Sequence, residues 1–502
     1  MSEPVPVIVV TLPARSVVEA RSELLEARVG GADLAEIRFD RWPESERRNA
    51  AGLFPSPLPL VATLRSRSEG GEGPDGSAQR RELLLALAGL PFRWIDLEAA
   101  RDLPLLPLLP PSERLGRIVS THFTTPPTPD QWDRSLRENV GDTAVRKVIA
   151  PASLRALLLE LLPRLPPSGE AALVAHTTGP SGPLLRAWAG RLRFPLVYAA
   201  LPERAEPEVA RPPVEASQLP VDRLRPFLAS PAAPLFAIVG QPVAHSLSPA
   251  IHARWMQAEG RSGLYVALDC GSDEEFVEVL RPLAAAGFRG LNITHPLKEV
   301  ALGAASRLGR GADACGVANC LTLRGDEVEA ENTDLAAILR RIEELRSQGL
   351  WDGTELGVIG AGGAARATLA AARVLGATAR IYARNASRAE LLAREFGASA
   401  GDPASDRPPS LLVQATDVGR STAGDLDVSL AKVLGPRTHL LDWVYAAERP
   451  TVREAADRAG ATYEDGRRLL VYQAAASYGI WWGEEPDPDR VGNALREVGC
   501  TP

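Results

Sequence analysis

Apolar residues in the first 200 positions gather into short β-branched runs. They are "PVIVVTL" (6–12), "LAEIRFD" (34–40), "LPLVATLR" (58–65), "FRWIDLE" (92–98), "RIVSTHF" (117–123), "VRKVIA" (145–150), "AALVAHT" (171–177) and "PLVYAAL" (195–201). Between most of them lie stretches of helical character, such as "SVVEARSELLEARVGGA" and "AQRRELLLALAGL". Eight strands alternating with helices predict a parallel (β/α)8 TIM barrel over residues 1–229. Proline then accumulates, and "SPAAP" (230–234) reads as a linker. A second α/β region begins at "LFAIVG" (235–240). Its "LGVIGAGGAARATLAAARVLG" (356–376) has the strand, glycine turn and helix of a Rossmann nucleotide-binding unit.

Polar residues interrupt the barrel pattern at the strand ends, where such barrels keep their chemistry: Glu36, Arg38, Arg65, Asp96, His122 and Lys147. One alone reads as a structural ion pair. Six at corresponding places imply mutual pairing or an anionic ligand, because burying unpaired charge is costly. Lys147 stands out further. Of 56 basic residues only Lys147, Lys298 and Lys432 are lysines. Arginine cannot shed its proton and is a poor nucleophile, so a lysine kept in an arginine-rich chain marks a place where an amine is wanted.

Composition narrows the classes without choosing among them. The chain has 502 residues, 45% hydrophobic and 24% charged, enough for two to four soluble domains. A net charge of −7 spread over mixed signs argues against a nucleic-acid or anionic-membrane surface. No apolar run approaches the ~20 residues of a membrane span, and the start "MSEPVPVIVVTLPARS" lacks the features of a secretory signal. Cys270, Cys315, Cys320 and Cys500 form no C-x-x-C pair; reduced thiols, a cytoplasmic location and no metal site are expected.

"AEIRFD", "TLRSRSEGG", "IDLE", "STHF" and "RKVIAP", in this order, resemble type I 3-dehydroquinate dehydratase over about residues 6–228. The resemblance implies that Lys147 forms a Schiff base with the substrate ketone, an electron sink that acidifies the neighbouring C–H. His122 becomes the general base and acid, Glu36 its positioning partner, and Arg38, Arg65 and Arg186 the substrate-binding arginines. Glu69 matches the family's R-x-x-x-E-G-G loop. Of the neighbours Arg146 and Lys147 one must face outward, and only the lysine can form an imine, so Lys147 is assigned inward. Three departures stand out. No aspartate follows His122; His176 replaces a methionine; and the substrate lid survives as "EASQLPVDRL", with Gln218 matched but Val214 in place of its serine.

"IVGQPVAHSLSPAIHARW" and "GLNITHPLKEVAL" are similar to shikimate dehydrogenase, and the likeness continues through "GVANCLTL", "ENTDLAAIL", "GAGGAARA", "LDWVY" and "GRRLLVYQAA". It implies a substrate-binding α/β domain from 235–333 plus 467–502 and a Rossmann domain over 334–466. Ser246 and Ser248, on one side of an extended segment, can bind a carboxylate, or else cap the following helix. Lys298 and Asp334 are the implied proton-handling pair, with Thr294, Asn319, Tyr445 and Gln473 around the substrate. His295 and Leu297 depart from the commoner residues there. Gly360, Ala361, Gly362, Gly363 and Ala364 make the turn for a pyrophosphate at a helix N-terminus. Arg384 and Arg388 flank Asn385 where an NAD site would carry an acidic residue, which favours NADP. Lys432, in "VSLAKVLGP", reads as a solvated position on a short amphipathic helix.

One resemblance's product is the other's substrate. Together they imply a fused enzyme that dehydrates 3-dehydroquinate and reduces 3-dehydroshikimate with NADPH, holding the intermediate at raised local concentration. An alternative keeps the dehydrogenase, for shikimate or quinate, beside a weakly active or scaffold barrel. A regulatory protein built from retired enzyme domains is disfavoured, because Lys147, His122, Lys298 and Asp334 are all present. Small-molecule substrates are the expected partners, with no nucleic acid or membrane; the sequence leaves the oligomeric state open.

Overall fold

A computed structural model describes residues 5–138, 144–167, 172–202, 214–230, 232–416, 432–445 and 450–500. The chain divides into two compact units, residues 1–234 with 261–270, and residues 235–260 with 271–502. Residues 261–270 cluster with the first unit although they follow residue 235 in sequence.

The first unit carries eight parallel strands: β1 Val7–Leu12, β2 Leu34–Arg38, β3 Leu60–Thr63, β4 Trp94–Glu98, β5 Gly116–His122, β6 Ala144–Pro151, β7 Leu173–Thr178 and β8 Leu196–Ala199. They pair in the order β7-β6-β5-β4-β3-β2-β1-β8. Two-residue periodicity builds the interior in layers. Val9, Leu34, Val61, Ile118, Val145, Val174, Leu196 and Tyr198 form a buried apolar layer. Two residues further along their strands stand Thr11, Glu36, Thr63, Ser120 and Lys147, and a further two bring Arg38, Arg65 and His122. Lys147 is 3% exposed and faces inward, whereas Arg146 faces out and bonds the Leu136 carbonyl.

The barrel is not fully laddered. Among the described residues β7 and β8 share no strand pairing. Across this gap the backbone N–H of Tyr198 donates to His176 Nε2 at 3.4 Å. Burial, with Arg186 and Lys147 nearby, keeps the imidazole well below its usual range and so neutral and able to accept. The methionine that the family resemblance places here has only a weakly accepting thioether to offer.

In the second unit Leu235–Gly240 and Phe288–Ile293 run parallel, and Phe288–Ile293 pairs antiparallel with Cys320–Arg324, which forms a hairpin with Glu327–Glu331. A second sheet is wholly parallel. Its strands, numbered along the chain, are Glu355–Ile359, Thr378–Tyr382, Ser399–Ala400, Leu411–Gln414, His439–Asp442 and Thr462–Glu464, in the spatial order 3-2-1-4-5-6. This is the doubly wound Rossmann order, with its switch point between the first and fourth strands. Helices Thr333–Ser347 and Arg467–Trp482 link the two sheets and are tied by Tyr472 OH, which donates to Glu344 at 2.6 Å, and by Arg340 over the Tyr472 ring.

Candidate active sites

Lys147 lies among carboxylates and an aromatic face. Its Nζ donates to Asp96 Oδ2, stands 3.8 Å from Glu36 Oε1, and sits 4.6 Å from the centre of the Tyr198 ring. Glu36 accepts from Thr11 Oγ1 at 2.7 Å and Thr63 Oγ1 at 2.8 Å; Ser120 Oγ donates to Asp96 at 2.5 Å. Gln218 Nε2 donates to Thr11 Oγ1 at 3.0 Å. The lid residue thus reaches the interior chain of hydrogen bonds even though Val214 replaces its serine. Thr11, Glu36, Thr63, Asp96, Ser120 and Lys147 alternate with the apolar layer, so one strand periodicity places them together, and Gln218 reaches them from outside the strands.

His122 pairs with Glu69, not with Glu36. Glu69 Oε2 lies 2.9 Å from His122 Nδ1 and also accepts the His122 backbone N–H at 3.1 Å. Both Glu36 oxygens are taken by threonine hydroxyls, and this corrects the expected partnership. Glu69 ends a 3-10 turn, Arg67–Glu69, closed by Gly70 at φ +78. Gly71 follows where a Cβ would come within 2.3 Å of the Arg65 carbonyl, which explains the glycines of the loop. Burial, reinforced by the Glu98 carboxylate, raises the Glu69 carboxyl to about 8. Burial and the cations Arg65, Lys147 and Arg38 hold His122 well below its usual range. The pair is therefore a carboxylic acid against a neutral imidazole near pH 7.

Sequence reasoning missed what stands behind this loop. Arg80, 2% exposed, grips Asp102 with two bonds of 2.8 and 2.6 Å and bonds the Leu64 carbonyl; Glu98 accepts the Ser66 N–H at 2.7 Å. An arginine on the buried side of the helix Ser77–Ala88 was the available signal.

The three expected substrate arginines are held unequally. Arg38 is bound at Nε and Nη2 by Asp40, and Arg65 Nε donates to the Glu69 carbonyl at 2.6 Å. Arg186 Nη1 bonds the carbonyls of Thr177 and Gly182, while its buried Nε has no partner among the described residues. Burial lowers Arg186 to about 10, still charged near neutrality. Gln218 Oε1 is likewise buried and unpartnered. Such buried polar atoms call for a ligand or water.

In the second unit Lys298 opens the helix Lys298–Gly303, and its Nζ contacts Asp334 Oδ2 at 2.5 Å. Asn319 Nδ2 donates to Asp334 Oδ1 at 2.8 Å, and its Oδ1 accepts the Thr333 N–H at 2.6 Å. Ser477, which sequence reasoning missed, joins Thr333 at 3.1 Å and accepts from Asn292 at 2.8 Å while donating to the Gln473 carbonyl at 3.0 Å. It lies one helical turn after Gln473. Asn332 caps the helix that carries Asp334. Thr294 directly follows its strand, and its Cγ2 lies where a Cβ on Gly240 would fall. Ser246 Oγ accepts the Ser248 N–H at 3.2 Å at the start of the helix Ser248–Ala258, whose N-cap, Leu247, has no side-chain cap bond. Among the described residues no hydrogen bond joins these two serines to Lys298 or Asp334. Tyr445 is half-buried at the end of a described stretch. Lys432 is exposed in a turn, and residues 417–431 before it lie outside the described residues.

The glycine turn suits a dinucleotide. Gly360 has φ +115 and abuts Ala415 and Thr416 at the switch point, Ala361 follows, and Gly362 caps the helix Gly363–Leu375, which includes Ala364. A Cβ on Gly362 would meet nothing within 4 Å, and one on Gly363 would come within 2.9 Å of Lys298 Cδ. The turn therefore runs beside the lysine stem and keeps open space at the helix N-terminus. Arg384 is exposed, with no ion-pair partner among the described residues. Arg388 pairs with Glu299 at 3.1 Å. Asn385 is spent on the helix cap, accepting the Arg388 N–H at 3.0 Å.

Residues 238–321 match the family model for the shikimate dehydrogenase substrate binding domain. Over 267 residues the chain is 36% identical to a shikimate dehydrogenase (NADP(+)) from Paracoccus denitrificans, covering 51% of this chain and 93% of that protein. The chain belongs to the shikimate dehydrogenase family. A second relative of the same name, from Gluconobacter oxydans, is 34% identical over 263 residues, again 51% of this chain and 93% of the relative. The solved shikimate 5-dehydrogenase of Thermus thermophilus in complex with NADP(H) and shikimate is 34% identical, covers 53% of this chain and 99% of its own, and has a TM-score of 0.46. Unlike those relatives, this family member carries a barrel, and residues 8–229 match the type I 3-dehydroquinase model. Lyase and oxidoreductase domains are both present.

Proposed function

We propose that the protein catalyses two successive steps, dehydration of 3-dehydroquinate in the barrel and NADPH-dependent reduction of 3-dehydroshikimate in the second unit. The observation that carries the first step is a buried lysine held against Asp96 in the same barrel interior as the buried His122–Glu69 pair. Lys147 attacks the ketone and forms an iminium. His122, kept neutral by burial, takes the adjacent C–H proton and returns it to the departing hydroxyl. Glu69 fixes His122 through one oxygen, which accepts its backbone N–H and bonds the ring at Nδ1. Arg65 and Arg186 hold the substrate carboxylate.

In the second unit Gly360, Gly362 and Gly363 would hold the pyrophosphate, and Arg384 with Arg388 the 2′-phosphate; NADPH supplies the hydride when bound. Lys298 delivers a proton to the carbonyl oxygen being reduced, while Asp334, oriented by Asn319, keeps the ammonium in place. Ser246, Ser248, Thr294, Tyr445 and Gln473 bind the substrate's carboxylate and hydroxyls. The two functional domains divide at residues 230–234, and within the second unit the substrate domain takes 235–333 with 467–502. We place the enzyme in the cytoplasm, in keeping with four free cysteines.

Borohydride trapping with 3-dehydroquinate, followed by peptide mass mapping, tests the first reaction. A reduced adduct on Lys147 is expected. No adduct, beside robust reduction of 3-dehydroshikimate by the same preparation, leaves the barrel a scaffold.

A further inference from the structure

The two carboxylates beside Lys147 are not equivalent. Glu36 has each oxygen engaged by a threonine hydroxyl and stands 3.8 Å from Nζ. Asp96 touches Nζ directly through Oδ2, and only its other oxygen accepts a hydroxyl, that of Ser120. His122, the other base of the site, has Nδ1 committed to Glu69 and makes no hydrogen bond to Nζ among the described residues. We propose that Asp96 is a catalytic residue of the barrel, the base that strips the proton from Lys147 so that its amine can attack the ketone.

The proposal rests on the Schiff-base reading, because only an attacking amine needs its lone pair freed. An N–H bond of the ammonium breaks and an O–H bond forms on Asp96 Oδ2, leaving the lone pair on Nζ. That pair forms the C–N bond to the ketone carbon, and the carbonyl π pair moves to oxygen. The oxygen takes the proton released by the new C–N ammonium and becomes a hydroxyl. Asp96 then returns its proton to this hydroxyl, which leaves as water, and the C=N bond forms. Substrate ketone plus lysine ammonium gives iminium plus water, with Asp96 a carboxylate again.

The surroundings favour each half of this cycle. Two neutral partners avoid the desolvation cost of a buried ion pair, and burial raises the Asp96 carboxyl against the opposing pull of Lys147. The iminium regains a positive charge opposite the restored carboxylate and over the face of Tyr198. Ser120 orients the acceptor without blocking Oδ2.

The test is the rate of borohydride trapping of 3-dehydroquinate by the full-length chain, followed from acid to alkaline pH. Wild-type protein should trap on Lys147, and Asp96→Asn should trap there about 100-fold more slowly. A mere counter-charge predicts the reverse. Losing it makes the neutral amine easier to form, so D96N trapping as fast as wild type, or faster at lower pH, overturns the proposal. Ser120→Ala decides the matter if D96N does not fold. Without its hydroxyl the carboxylate holds a proton more tightly, so the acidic limb of the trapping profile should move to higher pH; an unmoved limb overturns the assignment. Wild-type protein that gives no Lys147 adduct refutes the Schiff-base reading itself, an outcome distinct from slow trapping in one variant.

Discussion

Lys147 and Lys298 each lie against one aspartate, Asp96 and Asp334, but in different surroundings. The side chains of the first pair are 4% and 2% exposed, and those of the second 19% and 7%. Lys147 meets a second carboxylate and an aromatic face. Lys298 meets an amide and hydroxyl network through Asn319, Thr333 and Ser477, and the backbone of a glycine turn. A dry pocket that can accept and give back a proton suits an amine used as a nucleophile. A half-open one suits an ammonium used to hand a proton over. The same two residue types therefore do different chemistry because of what encloses them.

Replacing each lysine by arginine should break the comparison most sharply. Lys147→Arg is expected to remove dehydration by about 10⁴-fold or more, with 3-dehydroshikimate reduction unchanged when the two reactions are assayed separately. Lys298→Met should lower the kcat of reduction by about 10²–10³-fold. Lys298→Arg should lose about as much as the methionine variant, because arginine keeps its proton; a markedly smaller loss would show that a cation facing the oxygen is enough and that Lys298 need not hand a proton over.

A middling effect is expected from Glu69. The folded barrel holds this proton up to about 8, whereas the unfolded chain releases it near 4.5. Between those values the native state binds more protons, so barrel stability should fall as pH rises through that window. Denaturant unfolding followed on the barrel should show this slope in the wild type and a flatter one in Glu69→Gln. The smallest effects belong to the cofactor arginines. Arg384→Ala should raise the KM for NADPH by about tenfold, or ~1.4 kcal/mol, and leave that for NADH alone. Arg388→Ala should change it only a few-fold, since its pair with Glu299 is exposed and worth under ~1 kcal/mol.

The barrel interior was legible because strand alternation is strict. Once Val145 is placed inward, Lys147 must be, and Arg146 cannot; Leu34 carries Glu36 and Arg38 with it in the same way. The partner of His122 was not legible. Glu36 and Glu69 both precede it, and only the turn of the Arg67–Glu69 loop, 53 residues away in sequence, decides between them. Asn385 illustrates another limit. Asparagine before a helix serves a cap as readily as a ribose, and here it caps. Ser477 was invisible because Asn292 and Thr333 come from distant segments, and Arg80 left only the signal of an arginine on a helix, since its partner Asp102 lies beyond that helix.

The unladdered seam between β7 and β8 has a consequence of a different kind. A sheet curled almost into a cylinder but not stitched shut still owns two edges, and exposed edges invite pairing with a foreign strand. Here both edges are turned into the protein, with His176 fully buried and Tyr198 only 4% exposed. Across the gap one imidazole takes an amide that a neighbouring strand would otherwise claim. Acid strong enough to protonate that ring would make it a second donor facing the Tyr198 N–H. This bond across the seam holds only while burial keeps the histidine uncharged.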